Sequence, residues 1–210
     1  YMIKNVRGSL PAPMSPELPL ERCVSLEVIE SSLRSPSDSF SGHLAQFYRD
    51  DRSLLEILVR LVRSAIGNDD GVILLCTTEH WNSLESALRD SEPRFHSARS
   101  KRSVVRMDAE EALSRILDEN GRPDRGRFAR LLEEARSELD DRSNHRVRFY
   151  GELVNLLCER GRPKDAETLE DYWNEYLAGH SECSLLCGYS IENARTASAV
   201  LSICPAHTEV

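Results

Sequence analysis

Apolar residues recur along this chain in two rhythms. Val72-Ile-Leu-Leu-Cys (72–76) is a continuous apolar run, as in a strand covered on both faces. Four further segments read as strands: His43-Leu-Ala-Gln-Phe-Tyr, Ser103-Val-Val-Arg-Met, Val147-Arg-Phe and Ser184-Leu-Leu-Cys-Gly-Tyr. Between them the apolar spacing lengthens to three and four, the period of a helix. Leu54, Leu55, Leu58, Leu61, Val62 and Ala65 make one such stripe, with Asp50 or Asp51 as its cap and Gly67 as its stop. Trp81, Leu84 and Leu88 make a second, capped by Thr77 or Thr78. Asp108 with Glu111 has capping-box spacing ahead of Leu113, Ile116 and Leu117. Pro123 is suited to opening a helix that buries Phe128, Leu131, Leu132, Ala135 and Leu139. Leu153, Val154, Leu156 and Leu157 follow the turn at Gly151, and Leu169, Trp173, Tyr176 and Leu177 form a last stripe. Residues 93–101 read as an exposed loop.

Strands separated by helices predict an α/β fold, a mainly parallel sheet with helices on both faces. This domain is expected over 43–210. Residues 1–42 carry Pro11, Pro13, Pro16 and Pro19, one short amphipathic helix at 21–34 and a Ser-rich linker, so they read as an N-terminal extension. A further short helix is expected around 193–201.

Charge narrows the function. A net charge of −8 argues against an electrostatic nucleic-acid binder, and the basic run at 99–102 reads as a solvated loop. No apolar signal region precedes Pro19 and no run is long enough to span a bilayer, so a cytoplasmic protein without membrane contact is expected. The six cysteines form no C-x-x-C pair and read as free thiols.

Parallel strands aim their carboxyl ends at one rim, where open α/β sheets bind ligands. The expected ligand-binding set is His43, Tyr48, Glu79, His80, Glu152, Cys187 and Tyr189. Glu152 stands out, because it follows a strand and a glycine turn directly. Each rim position also has a plainer role, as a helix cap or, for Glu152, as a complement to the positive end of its own helix. No G-x-x-x-x-G-K-[ST] phosphate loop and no G-x-G-x-x-G turn is present. No G-x-S-x-G elbow is present either, and no metal site and no cofactor are expected from the Cys and His spacings.

In order, His43-Leu-Ala-Gln-Phe-Tyr, Asn120-Gly-Arg-Pro-Asp-Arg-Gly-Arg-Phe, Val147-Arg-Phe-Tyr-Gly-Glu-Leu-Val-Asn-Leu-Leu, Leu169-Glu-Asp-Tyr-Trp-Asn-Glu, Ser184-Leu-Leu-Cys-Gly-Tyr and Cys204-Pro-Ala-His resemble the MEDS domain, the methanogen/methylotroph DcmR sensory domain. The resemblance covers about 43–210. It implies a RecA/KaiC-like core with a degenerate nucleotide site. It also implies a prokaryotic signal-transduction role, such as in two-component systems, with a small hydrocarbon-derived ligand and a histidine kinase or transcriptional regulator as partner. The alternative is a ligand-free interaction module that docks a partner or a second copy as a homodimer. An enzyme with Glu152 or Glu79 as general base ranks last, since no catalytic motif supports it.

Overall fold

The computed structural model describes residues 42–140 and 146–191. The expected helices at 21–34 and 193–201 lie outside the described residues. Five strands, β1 (Gly42–Tyr48), β2 (Gly71–Cys76), β3 (Val104–Asp108), β4 (Val147–Gly151) and β5 (Cys183–Ser190), form one all-parallel sheet in the order β1-β5-β4-β2-β3. Alternation along the strands sorts the core into two halves. Phe47, Ile73, Leu75, Val105, Phe149, Leu185, Cys187 and Tyr189 face α4 (Ala109–Ile116), α5 (Arg125–Ser137), α6 (Leu153–Glu159) and α7 (Pro163–Gly179). Tyr48, Val72, Leu74, Cys76, Val104, Tyr150 and Leu186 face α1 (Asp51–Asn68), α2 (Thr78–Ser91) and α3 (Phe95–Ser100). Burial of β2 on both faces is what its unbroken apolar run requires. No described helix is long and apolar enough to cross a membrane.

The caps are mostly as the sequence suggests. Asp50 accepts from the Ser53 amide, in a reciprocal box that opens α1, and Asp108 accepts from the Glu110 and Glu111 amides to open α4. Three expectations are corrected. α1 runs through Gly67 and ends where Asp69 takes a left-handed φ of 56°, a conformation that Asp tolerates. Pro123 does not open α5: it bridges to Leu117, and Asp124 caps the helix instead. The expected loop at 93–101 contains α3, because burying Phe95 and Ala98 repays a single turn and a half that has no periodicity to announce it.

Arg148, the polar member of the β4 alternation, is buried as well. Its guanidinium donates to Asp70 Oδ2 from Nε at 2.9 Å and Nη2 at 2.6 Å, and Nη1 donates to Ser64 at 3.0 Å. Both members of the pair are buried. They fix the amino end of β4 against the turn that enters β2.

Where the sheet positions a site follows from its order. β2 and β4 are neighbours, yet the chain leaves β2 toward β3 on one side and leaves β4 toward β5 on the other. Between their carboxyl ends the connections diverge, and such a divergence opens the crevice where open α/β sheets take ligands.

Candidate functional site: the carboxylate at the sheet divergence

Glu152 is the residue immediately after β4, and it stands in that crevice. Its amide donates to Leu75 O of the neighbouring strand at 3.0 Å, so the backbone holds it level with the end of β2. The side chain does not cap its own helix. It crosses to the β2–α2 turn, where Oε2 accepts from the Thr77 amide at 2.9 Å. Oε1 accepts from the Tyr150 hydroxyl at 2.9 Å and meets His80 Nδ1 at 2.8 Å. The carboxylate is only 1% exposed, whereas the His80 side chain is 17% exposed. Glu152 thus does more than stand at the N-terminus of its own helix: its side chain ties β4 to the first turn of a different one.

The surroundings are built to hold this charge. His80 Nε2 lies 3.5 Å from Asp51 at the start of α1, and the Tyr48 ring meets the imidazole edge-on at 6.2 Å. Burial works against the charged imidazolium. The Glu152 carboxylate, with help from Asp51, outweighs it and lifts His80 to about 8. Burial and then the Glu152 charge push the Tyr150 hydroxyl well above its ordinary range. Tyr48 rises for the same two reasons. Both phenols thus stay protonated, and that of Tyr150 is the donor to Glu152.

A raised histidine value stabilises the fold while the histidine is charged. The contribution of His80 is fully present below its unfolded value of 6.5 and is lost as the pH rises through 8. A shift of this size corresponds to about 2 kcal/mol. Urea unfolding at pH 6 and pH 9 is expected to show that loss in the native chain, and a His80→Gln variant is expected to lack it.

Two other rim residues take the plainer role. Thr77 Oγ1 accepts from the His80 amide as the cap of α2, and Asp108 caps α4 while its Oδ2 accepts from Thr78 at 2.6 Å and Arg106 at 2.8 Å. Gln46 lies on the Tyr150 side of the sheet, paired in register with Gly188. Its Nε2 donates to Phe47 O, and its buried Oε1 has no donor among the described residues.

Of the seven residues singled out by sequence, Tyr48, His80 and Glu152 converge here. Glu79 is exposed on the first turn of α2, apart from them. His43, Cys187 and Tyr189 converge on the opposite face of the sheet, and His43 is the second residue of β1, toward the amino end rather than the rim. There His43 Nε2 lies 3.3 Å from Cys187 Sγ and 3.1 Å from Glu170 Oε2, and Nδ1 lies 2.9 Å from Asn174 Oδ1. The Tyr189 hydroxyl donates to Glu170 Oε1. Burial, and secondarily the Asp171 charge, holds the Glu170 carboxyl well above the usual range. Burial and Glu170 do the same to the Cys187 thiol. The four cysteines among the described residues, Cys76, Cys158, Cys183 and Cys187, are free thiols.

Glu170 and Asn174 were not singled out from the sequence. A signal for Glu170 exists: it sits four residues after Ala166 and three before Trp173, inside the apolar stripe of α7. An acid at that position is either buried with partners or absent from the helix core altogether.

The model of the MEDS family, described as the methanogen/methylotroph DcmR sensory domain, matches residues 42–208. The chain belongs to the MEDS family. The match takes in every described strand and helix and both side-chain clusters. MEDS is a family of sensory domains, which agrees with a sensory role. No curated protein matches the chain.

Proposed function

We propose that this MEDS domain is a non-catalytic sensory input domain that takes a small hydrocarbon derivative at the sheet divergence and passes the signal to a histidine kinase or a transcriptional regulator in the cytoplasm. One observation carries the reading. A buried carboxylate at the place where α/β sheets bind ligands is held by three donors from two elements, and the histidine among them reaches solvent. A ligand with its own hydrogen-bond donor competes for Glu152. Its apolar part rests against Tyr48, and Gln46 Oε1 offers an acceptor that the described residues leave without a donor.

Displacing His80 from Glu152 frees the first turn of α2, so occupancy couples to the position of a helix. The ligand shifts that equilibrium only by the difference between its affinities for the two arrangements. General-base chemistry is disfavoured because both carboxylate oxygens are already engaged by protein donors.

The filled crevice also favours a second reading, in which the domain binds no ligand and instead docks a partner or a second copy. Native mass spectrometry of the purified chain, followed by denaturing extraction, separates the two. The sensor reading expects a retained small molecule, together with saturable amide shifts at Thr77 and His80 on titration with short alcohols or amines. Both are lost in a folded Glu152→Gln chain. An empty protein without saturable shifts that runs as a stable dimer gives the interaction reading instead.

A further inference from the structure

The cluster on the other face of the sheet does not enter that reading. We propose that His43, Glu170 and Cys187 form a binding site for one divalent transition-metal ion, zinc by the nature of its donors. The three come from β1, α7 and β5, all are buried, and their ligand atoms lie within 4.8 Å of one another.

The spacing suits a metal. Zinc bonds of about 2.0–2.3 Å in a tetrahedron put neighbouring ligand atoms roughly 3.3–3.7 Å apart. His43 Nε2 lies 3.1 Å from Glu170 Oε2 and 3.3 Å from Cys187 Sγ, and all three ligand atoms lie within 4.8 Å of one another, so an ion enters by a small adjustment of these side chains. An imidazole, a carboxylate and a thiolate are a borderline-soft set. Magnesium and calcium prefer oxygen alone, whereas zinc takes all three donors.

The groups behind the ligands are arranged for the same purpose. Asn174 Oδ1 is an acceptor, so His43 Nδ1 carries a proton and Nε2 is the ring nitrogen that faces Glu170 and Cys187. The Tyr189 hydroxyl donates to Glu170 Oε1, and Oε2 is the oxygen beside the imidazole. Fixing the second ring nitrogen and the second carboxylate oxygen is how metal sites orient their ligands. On binding, the thiol and the carboxyl give up protons to solvent and the ion neutralises the resulting charges. Asn174 is then a positioning residue. No short spacing along the chain announces the site, because β1 and β5 are neighbours in the sheet although they are distant in sequence.

The test uses the full chain, stripped with a chelator and titrated with cobalt(II) as a spectroscopic substitute for zinc. One cobalt per chain is expected, with a thiolate-to-metal charge-transfer band that zinc abolishes. Cys187→Ser is expected to lose the band and Cys76→Ser to keep it. Glu170→Gln is expected to weaken binding at least about tenfold, and Asn174→Ala about 10–100-fold, as supporting residues do. If Cys187→Ser does not fold, zinc-edge X-ray absorption on the loaded native chain replaces it, with one sulfur expected in the first shell. A folded native chain that takes up no cobalt, a band that survives Cys187→Ser, or a shell without sulfur overturns the proposal. None of these readouts depends on the sensor reading of the opposite face.

Discussion

Replacing Glu152 with alanine is expected to lower the unfolding free energy by about 3–5 kcal/mol, the range for removing one side of a buried charged pair. The change leaves the Thr77 amide and the Tyr150 hydroxyl without their acceptor in a place that water reaches poorly. Each such group costs about 1–3 kcal/mol when stranded. It also removes the charge that holds His80 up, so the histidine value falls from about 8 and the pH dependence of stability flattens. Glu152→Gln keeps an acceptor for one or two of these donors and is expected to lose less than the alanine variant. Glu79→Ala is the control: the same residue type, in the first turn of α2 and exposed, is expected to change stability by less than about 0.5 kcal/mol. Urea unfolding of the four chains, with the His80 titration followed by NMR, measures all of this. Equal small losses for Glu79→Ala and Glu152→Ala would refute the clamp.

Gly188→Ala is expected to cost about 3 kcal/mol, at the upper end of what overpacking a core brings. A Cβ at this position falls 2.4 Å from the Tyr150 hydroxyl oxygen and 3.0 Å from two of its ring atoms. Tyr150 cannot simply swing aside, because it is fully buried and its oxygen is bonded to Glu152. β5 therefore has a glycine where it passes under the ring that reaches the carboxylate. Gly179→Ala tests the specificity of the argument, since a Cβ there meets nothing within 4 Å and α7 gains a better helix former. It is expected to be neutral or mildly stabilising. In a cycle with Tyr150→Phe, the double variant is expected to lose less than the sum of the single changes. Thermal or chemical unfolding gives the coupling directly, and strict additivity would mean that the hydroxyl is not what the new methyl strikes.

Much of the architecture was legible because it is local. The run 72–76 declared a strand buried on both faces, and Leu54 through Ala65 declared the helix beside it. α3 was not legible: six residues with two buried apolar side chains have no measurable period. Strand order was not legible either, since pairing is decided by contacts between segments far apart in the chain. That gap split the predicted site. The rim argument grouped Glu152 with His80 and Tyr48, and these three side chains are neighbours at the divergence. It also drew in His43 and Cys187, whose side chains point to the other face by the two-residue alternation of β1 and β5. Glu170 was lost in an acidic helix, where one carboxylate among several looks like solvent-facing charge.

The order of the strands also governs how the molecule is made. Among the described residues β1 pairs only with β5, so the earliest of the five described strands waits for the latest before it acquires a partner in this sheet. Until about residue 190 has emerged, the segment from Gly42 to Tyr48 presents unpaired amides and carbonyls to the medium. Closure across that span is a long-range event, which makes it slow and leaves a sticky edge open during synthesis. A nascent MEDS chain stalled before β5 is thus the species most in need of a chaperone.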